Sequence, residues 1–251
     1  IKQNVSIILK SDTKVLGEVM VVAYGTAKKE SFTGSASVIN NKKLELRPIS
    51  NVTKGLEGQT TGLLTTSGSG QPGEAAKIVI RGYGSINASQ DPLYVVDGIP
   101  FSGDMSSINP ADIESMTVLK DASAGALYGA RGANGVILVT TKQGKAGKTT
   151  ITYDGYVEHD FVASKPDVLD AEAYLDKVTG AVDYGHRTNW YDELINKNNF
   201  GHNHNISLSG GSETTIFRMS ANFKGKEGLD IASDRKEYGL RGNFKHTTLE
   251  G

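Results

Sequence analysis

Cysteine is absent from the 251 residues. That removes a disulfide framework and any thiolate metal site, and it suits a bacterial envelope protein without requiring that location. Proline is scarce, at 6 residues, while glycine reaches 30 and is spread through segments that otherwise read as folded. The combination points to a turn-rich β protein rather than to disorder. Excess charge is missing too: the formal net charge is -1, so there is no electrostatic case for nucleic acid. No apolar run approaches the roughly 18 residues of a membrane helix, and no signal-peptide pattern stands at the start. Neither absence bears on a membrane β-barrel, whose alternating strands leave only a weak hydropathy signal.

The longest continuous apolar run spans residues 19–24, inside the stretch Glu18, Val19, Met20, Val21, Val22, Ala23, Tyr24, Gly25. Its β-branched residues favour an extended strand. No Asn-Gly or Asp-Gly turn adjoins it, so no local hairpin partner is expected. Such a strand is either an inner strand of a sheet or a segment that pairs with another protein. Residues 5–9 read as a short strand ending a preceding domain, and residues 26–35 as a polar linker.

From residue 35 to 144 the pattern is compact α+β. Strands are expected at 36–39, 63–66, 77–81, 93–97, 117–119 and 136–141. Asn51 begins a short helix over 52–56, and Pro110 opens a helical turn with Ile113 and Met116 on one face. Asp121 caps a helix over 122–128. Asp97-Gly98 turns the chain. After Gly147 the period changes to 2. Ile151, Tyr153 and Val157 alternate with Thr152, Asp154 and Glu158; Phe217, Met219 and Phe223 with Arg218, Ser220 and Lys224; Tyr238, Leu240 and Phe244 with Arg241, Asn243 and Lys245. A tight turn at 210–212 joins the second and third of these strands, and long connections are expected elsewhere, one carrying a helix over 169–178 and the single Trp190. Apolar-out, polar-in strands with short turns at one end describe a transmembrane β-barrel; a soluble meander with one wet face is the reading of any one strand alone. Four strands do not close a barrel, for which about eight is the minimum, so the chain is expected to be part of a larger protein.

The string INPADIESMTVLKDASAGALYGARGANGV at 108–136 resembles the plug-domain signature of SusC/RagA-type TonB-dependent transporters of Bacteroidetes. So do YVVDGIP at 94–100 and VIRG at 79–82, and residues 18–25 resemble that family's TonB box. The resemblance implies an α+β plug domain, a small mixed sheet with short helices, followed by antiparallel strands of an outer-membrane β-barrel. It implies these parts: 1–12, the end of an N-terminal regulatory-like β domain; 13–34, TonB box and linker; 35–146, plug; 147–251, first strands and loops of a barrel of about 22 strands. It further implies import of a glycan or a peptide across the bacterial outer membrane, with TonB, ExbB-ExbD, a SusD-like surface lipoprotein and membrane lipid as partners, and no cofactor.

Within the signature, Arg81, Gly82, Asp97, Gly98, Asp112, Glu114, Lys120, Asp121, Tyr128, Gly129, Arg131, Asn134 and Gly135 are the marked positions. Arg81 and Arg131 are expected to pair with carboxylates of plug or wall, with Asp112, Glu114 and Asp121 as candidates. Tyr83, Ser85, Asn87 and Phe101 lie on loops that would face substrate, although core or loop-anchoring roles suit the aromatics equally. Sharper motifs fail. Residues 68–73 match G-x-G-x-x-G but sit between strands, with Pro72 inside and no helix following. His202 and His204 share a strand face with no third ligand in view. No catalytic constellation stands out. A surface-exposed β-rich binding or adhesion protein is the alternative from another class.

Overall fold

The computed structural model describes residues 19–22, 25–28, 36–41, 51–84, 89–120 and 128–248. The expected strand at 5–9, Glu18, Ala23, Tyr24, Ser85, Asn87, Asp121 and the helix over 122–127 lie outside the described residues. The strands before residue 147 are β1 (Val19–Val22), β2 (Gly25–Lys28), β3 (Ala36–Asn40), β4 (Leu63–Thr66), β5 (Lys77–Ile80), β6 (Leu93–Val96), β7 (Ile99–Phe101), β8 (Ile113–Leu119) and β9 (Val136–Thr141).

A five-stranded mixed sheet in the order β3-β8-β9-β6-β7 forms the plug's centre, with β6 parallel to β9 and the other pairs antiparallel. β9 reads Val-Ile-Leu-Val-Thr-Thr and is buried at five of its six positions, as a strand covered on both faces must be. Ile137 and Val139 face one cluster with Ile39, Leu56, Ile78 and Met105; Val136 and Leu138 face a smaller one with Val95 and Leu119. The β4–β5 hairpin supplies Ile78 and Ile80 to the first cluster.

Two local expectations are corrected. The apolar run does have a local partner: β1 pairs antiparallel with β2, Val22 opposite Gly25. Pairing satisfies the backbone groups that an isolated apolar strand leaves open, and it takes residues 25–28 out of the expected linker. Second, Ile113 and Met116 are not on a helix. The helical turn ends at Asp112, and β8 begins at once. A register shift between Ile113 and Ser115 inserts an extra residue, so side chains three apart reach the same core cluster. The turn expected at Asp97-Gly98 is present, with φ of 48° and 86°, both residues left-handed. The turn folds β7 back onto β6, a strand the sequence pattern had not indicated.

The remaining strands are β10 (Gly147–Glu158), β11 (Gly201–Gly211), β12 (Thr215–Glu227) and β13 (Asp234–His246), an antiparallel meander in sequence order. Residues 159–200 connect the first two and carry α1 (Ala171–Lys177) and α2 (Trp190–Leu194). The β12–β13 connection, 228–233, is shorter than expected because both strands run beyond their alternating stretches. One face of this wall is apolar and open: Ile151, Tyr153, Ile206, Met219, Leu240 and Phe244 are all exposed. The other carries Asn203, Asn205, Ser207, Ser220 and Lys224, all buried. Polar residues are inside and apolar ones outside, the reverse of a soluble sheet packed on a core.

Candidate functional site

The polar side of the wall is buried because the plug lies against it, through turns that end the plug strands. Asn109 and Asp112 bracket the turn before β8. Asn109 caps it, accepting from the Ala111 amide at 3.0 Å, and donates to Asn205 Oδ1 on β11 at 3.3 Å. Asp112, only 4% exposed, accepts from Ser220 Oγ on β12 at 2.9 Å and faces the Arg218 guanidinium at 3.5 Å. Its own carbonyl accepts from the Lys142 amide at 2.8 Å, which fixes the turn to the end of β9.

Asp97 is the second contact. Its carboxylate accepts from the Thr141 amide at 2.8 Å, from Thr141 Oγ1 at 2.6 Å and from Arg241 on β13 at 3.0 Å. One side chain thus joins the β6–β7 turn, the end of β9 and the wall. Asn243 adds a bond to the Lys142 carbonyl at 3.1 Å. A third contact lies nearer the long connections, where Arg235 reaches Ser106 Oγ at 3.3 Å and pairs closely with Glu237. Asp104 caps the adjoining turn. The Ser106 backbone amide, helped by the Ser106 side chain and the nearby Arg235, holds the Asp104 carboxyl below its usual range despite some desolvation.

Other signature positions act inside the plug. Gly135, at φ 91°, donates to Gly132 O and accepts from Leu93 N at 3.0 Å each. A Cβ there would sit 2.7 Å from Ile80 Cδ1 and 3.1 Å from the Leu119 carbonyl oxygen. Asn134 holds the loop before β6, donating to Ser89 O at 2.9 Å. The Lys120 ammonium donates to Thr60 Oγ1 and Thr61 O, both at 2.7 Å; burial, and then Arg81, lowers its pKa. Arg81 and Gly82 turn the chain after β5 with positive φ, and Gly98 and Gly129 are also left-handed. Tyr128 packs on the smaller core cluster, and Phe101 on the larger. Tyr83 is 67% exposed. Glu114 and Arg131 are exposed, and the wall partner of Asp112 is Arg218 rather than Arg131 or Arg81.

Arg218, Ser220, Arg241, Asn243 and Asn205 were legible only as the polar rows of alternating strands. The usable signal was an arginine in the middle of a strand's inward row, which needs a carboxylate opposite. His202 and His204 belong to a ring cluster on the open face with Tyr153, Phe200, Phe223 and Tyr238, and Tyr153 Oη lies 2.7 Å from His204 Nδ1.

A strand-edged α+β unit bonded to the polar face of a tall antiparallel wall is shared with known proteins. Residues 28–136 match the family model of the TonB-dependent Receptor Plug Domain. The TonB-dependent receptor SusC of Bacteroides thetaiotaomicron is 36% identical over 263 residues, covering 98% of this chain and 26% of that protein. The chain belongs to the SusC/RagA-type TonB-dependent transporters. TonB-dependent receptor P3 of Formosa agariphila is 38% identical, covering 96% of this chain and 24% of the relative. The solved RagAB peptide importer in its open-open state superposes with a TM-score of 0.79 at 30% identity, covering 93% of this chain and 31% of that one. The chain therefore spans about a quarter of the length of these two curated relatives.

Proposed function

We propose that this SusC-type chain serves TonB-dependent active import of a nutrient, an oligosaccharide or a peptide, across the bacterial outer membrane, with the plug gating the barrel. The observation that carries the reading is the two-faced wall. Its apolar face is open and its polar face is bonded to a folded plug through Asp97, Asn109 and Asp112. An apolar face of that extent suits lipid, and a plug suits a lumen too wide to be filled by side chains alone. The ring cluster around His204 and Tyr238, at the long-connection end, suits the aromatic girdle of a membrane interface.

Residues Glu18 to Gly25 are the proposed TonB-binding segment. Among the described residues β1 pairs with β2 alone, so its second edge suits addition of a partner strand. The energy source would be TonB with ExbB-ExbD, and a SusD-like lipoprotein would cover the outer face. Deleting residues 18–25 tests this. Uptake should be lost while the amount of protein in the outer membrane is unchanged. Undiminished growth of the deletion strain on its nutrient would sink the proposal, and a binding or adhesion protein would tolerate the deletion.

A further inference from the structure

The open face of the wall changes its chemistry row by row. From the tight turn upward, Phe217 and Phe244 are followed by Leu208 with Met219, and then by Ile206 with Leu240. The small residues Ala221 and Gly242 leave a groove of about 450 Å³ among Ile206, Leu208, Met219 and Leu240. Above it His204, Phe223 and Tyr238 make a ledge of rings, with Phe223 and Tyr238 stacked at 4.8 Å. The next row is basic: His202, Gly225 and Lys236. A Cβ on Gly225 would sit 2.6 Å from His202 Nε2, so the imidazole leans across β12 toward Lys236. His202 Nδ1 is buried without a hydrogen-bond partner, which leaves Nε2 to donate. The row beyond is acidic, with Glu227 opposite Asp234. The height fits a membrane. Lys236 and His246 lie at the two ends of the apolar rows of β13, about ten residues apart. That is about 33 Å of strand and, at a tilt of about 40°, roughly the 25 Å of an outer-membrane apolar band. Lys236 then stands at headgroup level.

We propose that this column of rows is a holding site for one phospholipid whose headgroup carries a phosphate and, farther out, a primary ammonium. The proposal rests on the membrane-barrel reading above and goes past it to a particular headgroup. An acyl chain lies in the groove at Ala221 and Gly242. The phosphate meets Lys236 and His202, and the ammonium meets Glu227 and Asp234. The order of the rows selects the lipid. In such a headgroup the phosphate is nearer the chains and the ammonium is beyond it. The basic and acidic rows stand about 6.6 Å apart along the strand, close enough for one headgroup to touch both. A purely anionic headgroup meets Lys236 but is repelled by the acidic row. A quaternary ammonium has no N–H to donate to the two carboxylates, which only accept.

For the test, the full transporter is purified in detergent and exchanged with equal parts of phosphatidylethanolamine, phosphatidylglycerol and phosphatidylcholine. Native mass spectrometry then counts the retained lipid. Retention is the readout, since one headgroup contact adds little to membrane insertion. The wild type should keep phosphatidylethanolamine in preference to both others. Lys236→Gln should lower that retention about fivefold. Glu227→Gln with Asp234→Asn should remove the preference over phosphatidylglycerol. Gly242→Leu should fill the groove and lower retention of all three lipids, because a Cβ there meets no atom within 4 Å. Heat-modifiable mobility checks that each variant is folded. Equal retention of phosphatidylethanolamine and phosphatidylglycerol by the wild type would overturn the proposal. So would unchanged phosphatidylethanolamine retention in the folded Lys236→Gln variant, or a dimer of the transporter that holds no lipid. The barrel reading fails differently: Leu240→Arg would then leave membrane insertion unchanged, whatever the headgroup preference.

Discussion

Asp97 and Asp112 do the same task under different dielectric conditions, so their removal should cost different amounts. The Asp97–Arg241 pair is about 30% exposed on each side, and solvent screens it. A double-mutant cycle with Asp97→Asn and Arg241→Gln should give a coupling of about 0.5–1 kcal/mol, read from denaturant unfolding of the refolded protein. The Asp112–Arg218 pair is 5% and 12% exposed. Removing one member of a buried pair costs about 3–5 kcal/mol, and the 3.5 Å separation puts Asp112→Ala toward the lower figure. An Asp112→Ala cost no larger than the Asp97–Arg241 coupling would mean that burial does not set the strength of these contacts. Gly135→Ala should cost as much as a core defect, because it adds left-handed strain to a clash with Ile80 and the Leu119 carbonyl. Asp104 gives a pH signature. Its folded pKa is lowered, first by the Ser106 amide. The stability it contributes is fully present above the unfolded value of about 3.9 and is lost as pH falls through the folded one. Asp104→Asn should therefore flatten the acid limb of the stability curve, which a pH series of thermal melts would show.

At the scale of elements, strands with a single-face or all-apolar pattern were legible. β9 opens with continuous Val, Ile and Leu; β12 alternates from Phe217 to Lys224 and β13 from Tyr238 to Lys245; Asp97-Gly98 marked its turn. What was hidden needed tertiary information. The bulge in β8 places Ile113 and Met116 on one face at a spacing that mimics a helix. β7 is three residues long, too short to carry a period. The β1–β2 hairpin has no turn pair to betray it. The plug–wall contacts join residues far apart in sequence, 108 positions for Asp112–Ser220 and 144 for Asp97–Arg241, so the rows were readable and their partners were not. The hairpin also changes what a partner of β1 must do, since that partner must add to the edge away from β2 or displace β2. Met20→Pro removes a donor from the middle of β1 and should impair either mode. Uptake should fall with outer-membrane levels unchanged, measured by radiolabelled nutrient and immunoblot; full uptake would show that backbone pairing along β1 is not used.

For the molecule as a whole, the decisive quantity is which medium touches the open face of the wall. Leu240 is 89% exposed at the middle of β13, with Ala221 opposite it on β12 and Met219 and Phe244 nearby on the same face. In water, an exposed leucine replaced by arginine costs little, within about 0.5 kcal/mol for a typical surface site, and it would raise solubility. In lipid, an arginine at the bilayer midplane of a barrel costs about 2–4 kcal/mol, falling toward zero near the interfaces. Leu240→Arg should therefore lower folding into vesicles by about that amount. Lys236→Leu, four residues away on the same face but beside the long connections, should change it little. Two like-sized effects would place Leu240 and Lys236 at the same depth. No effect from Leu240→Arg would put the face in water and remove the physical reason for a barrel. The same assay separates wall from plug: Asp112→Ala should leave vesicle insertion intact and loosen only the plug, seen as new protease cleavage between residues 36 and 141. That outcome would assign membrane insertion to the outer rows of β10–β13 and plug retention to their inner rows, which is the division of labour that a gated barrel requires.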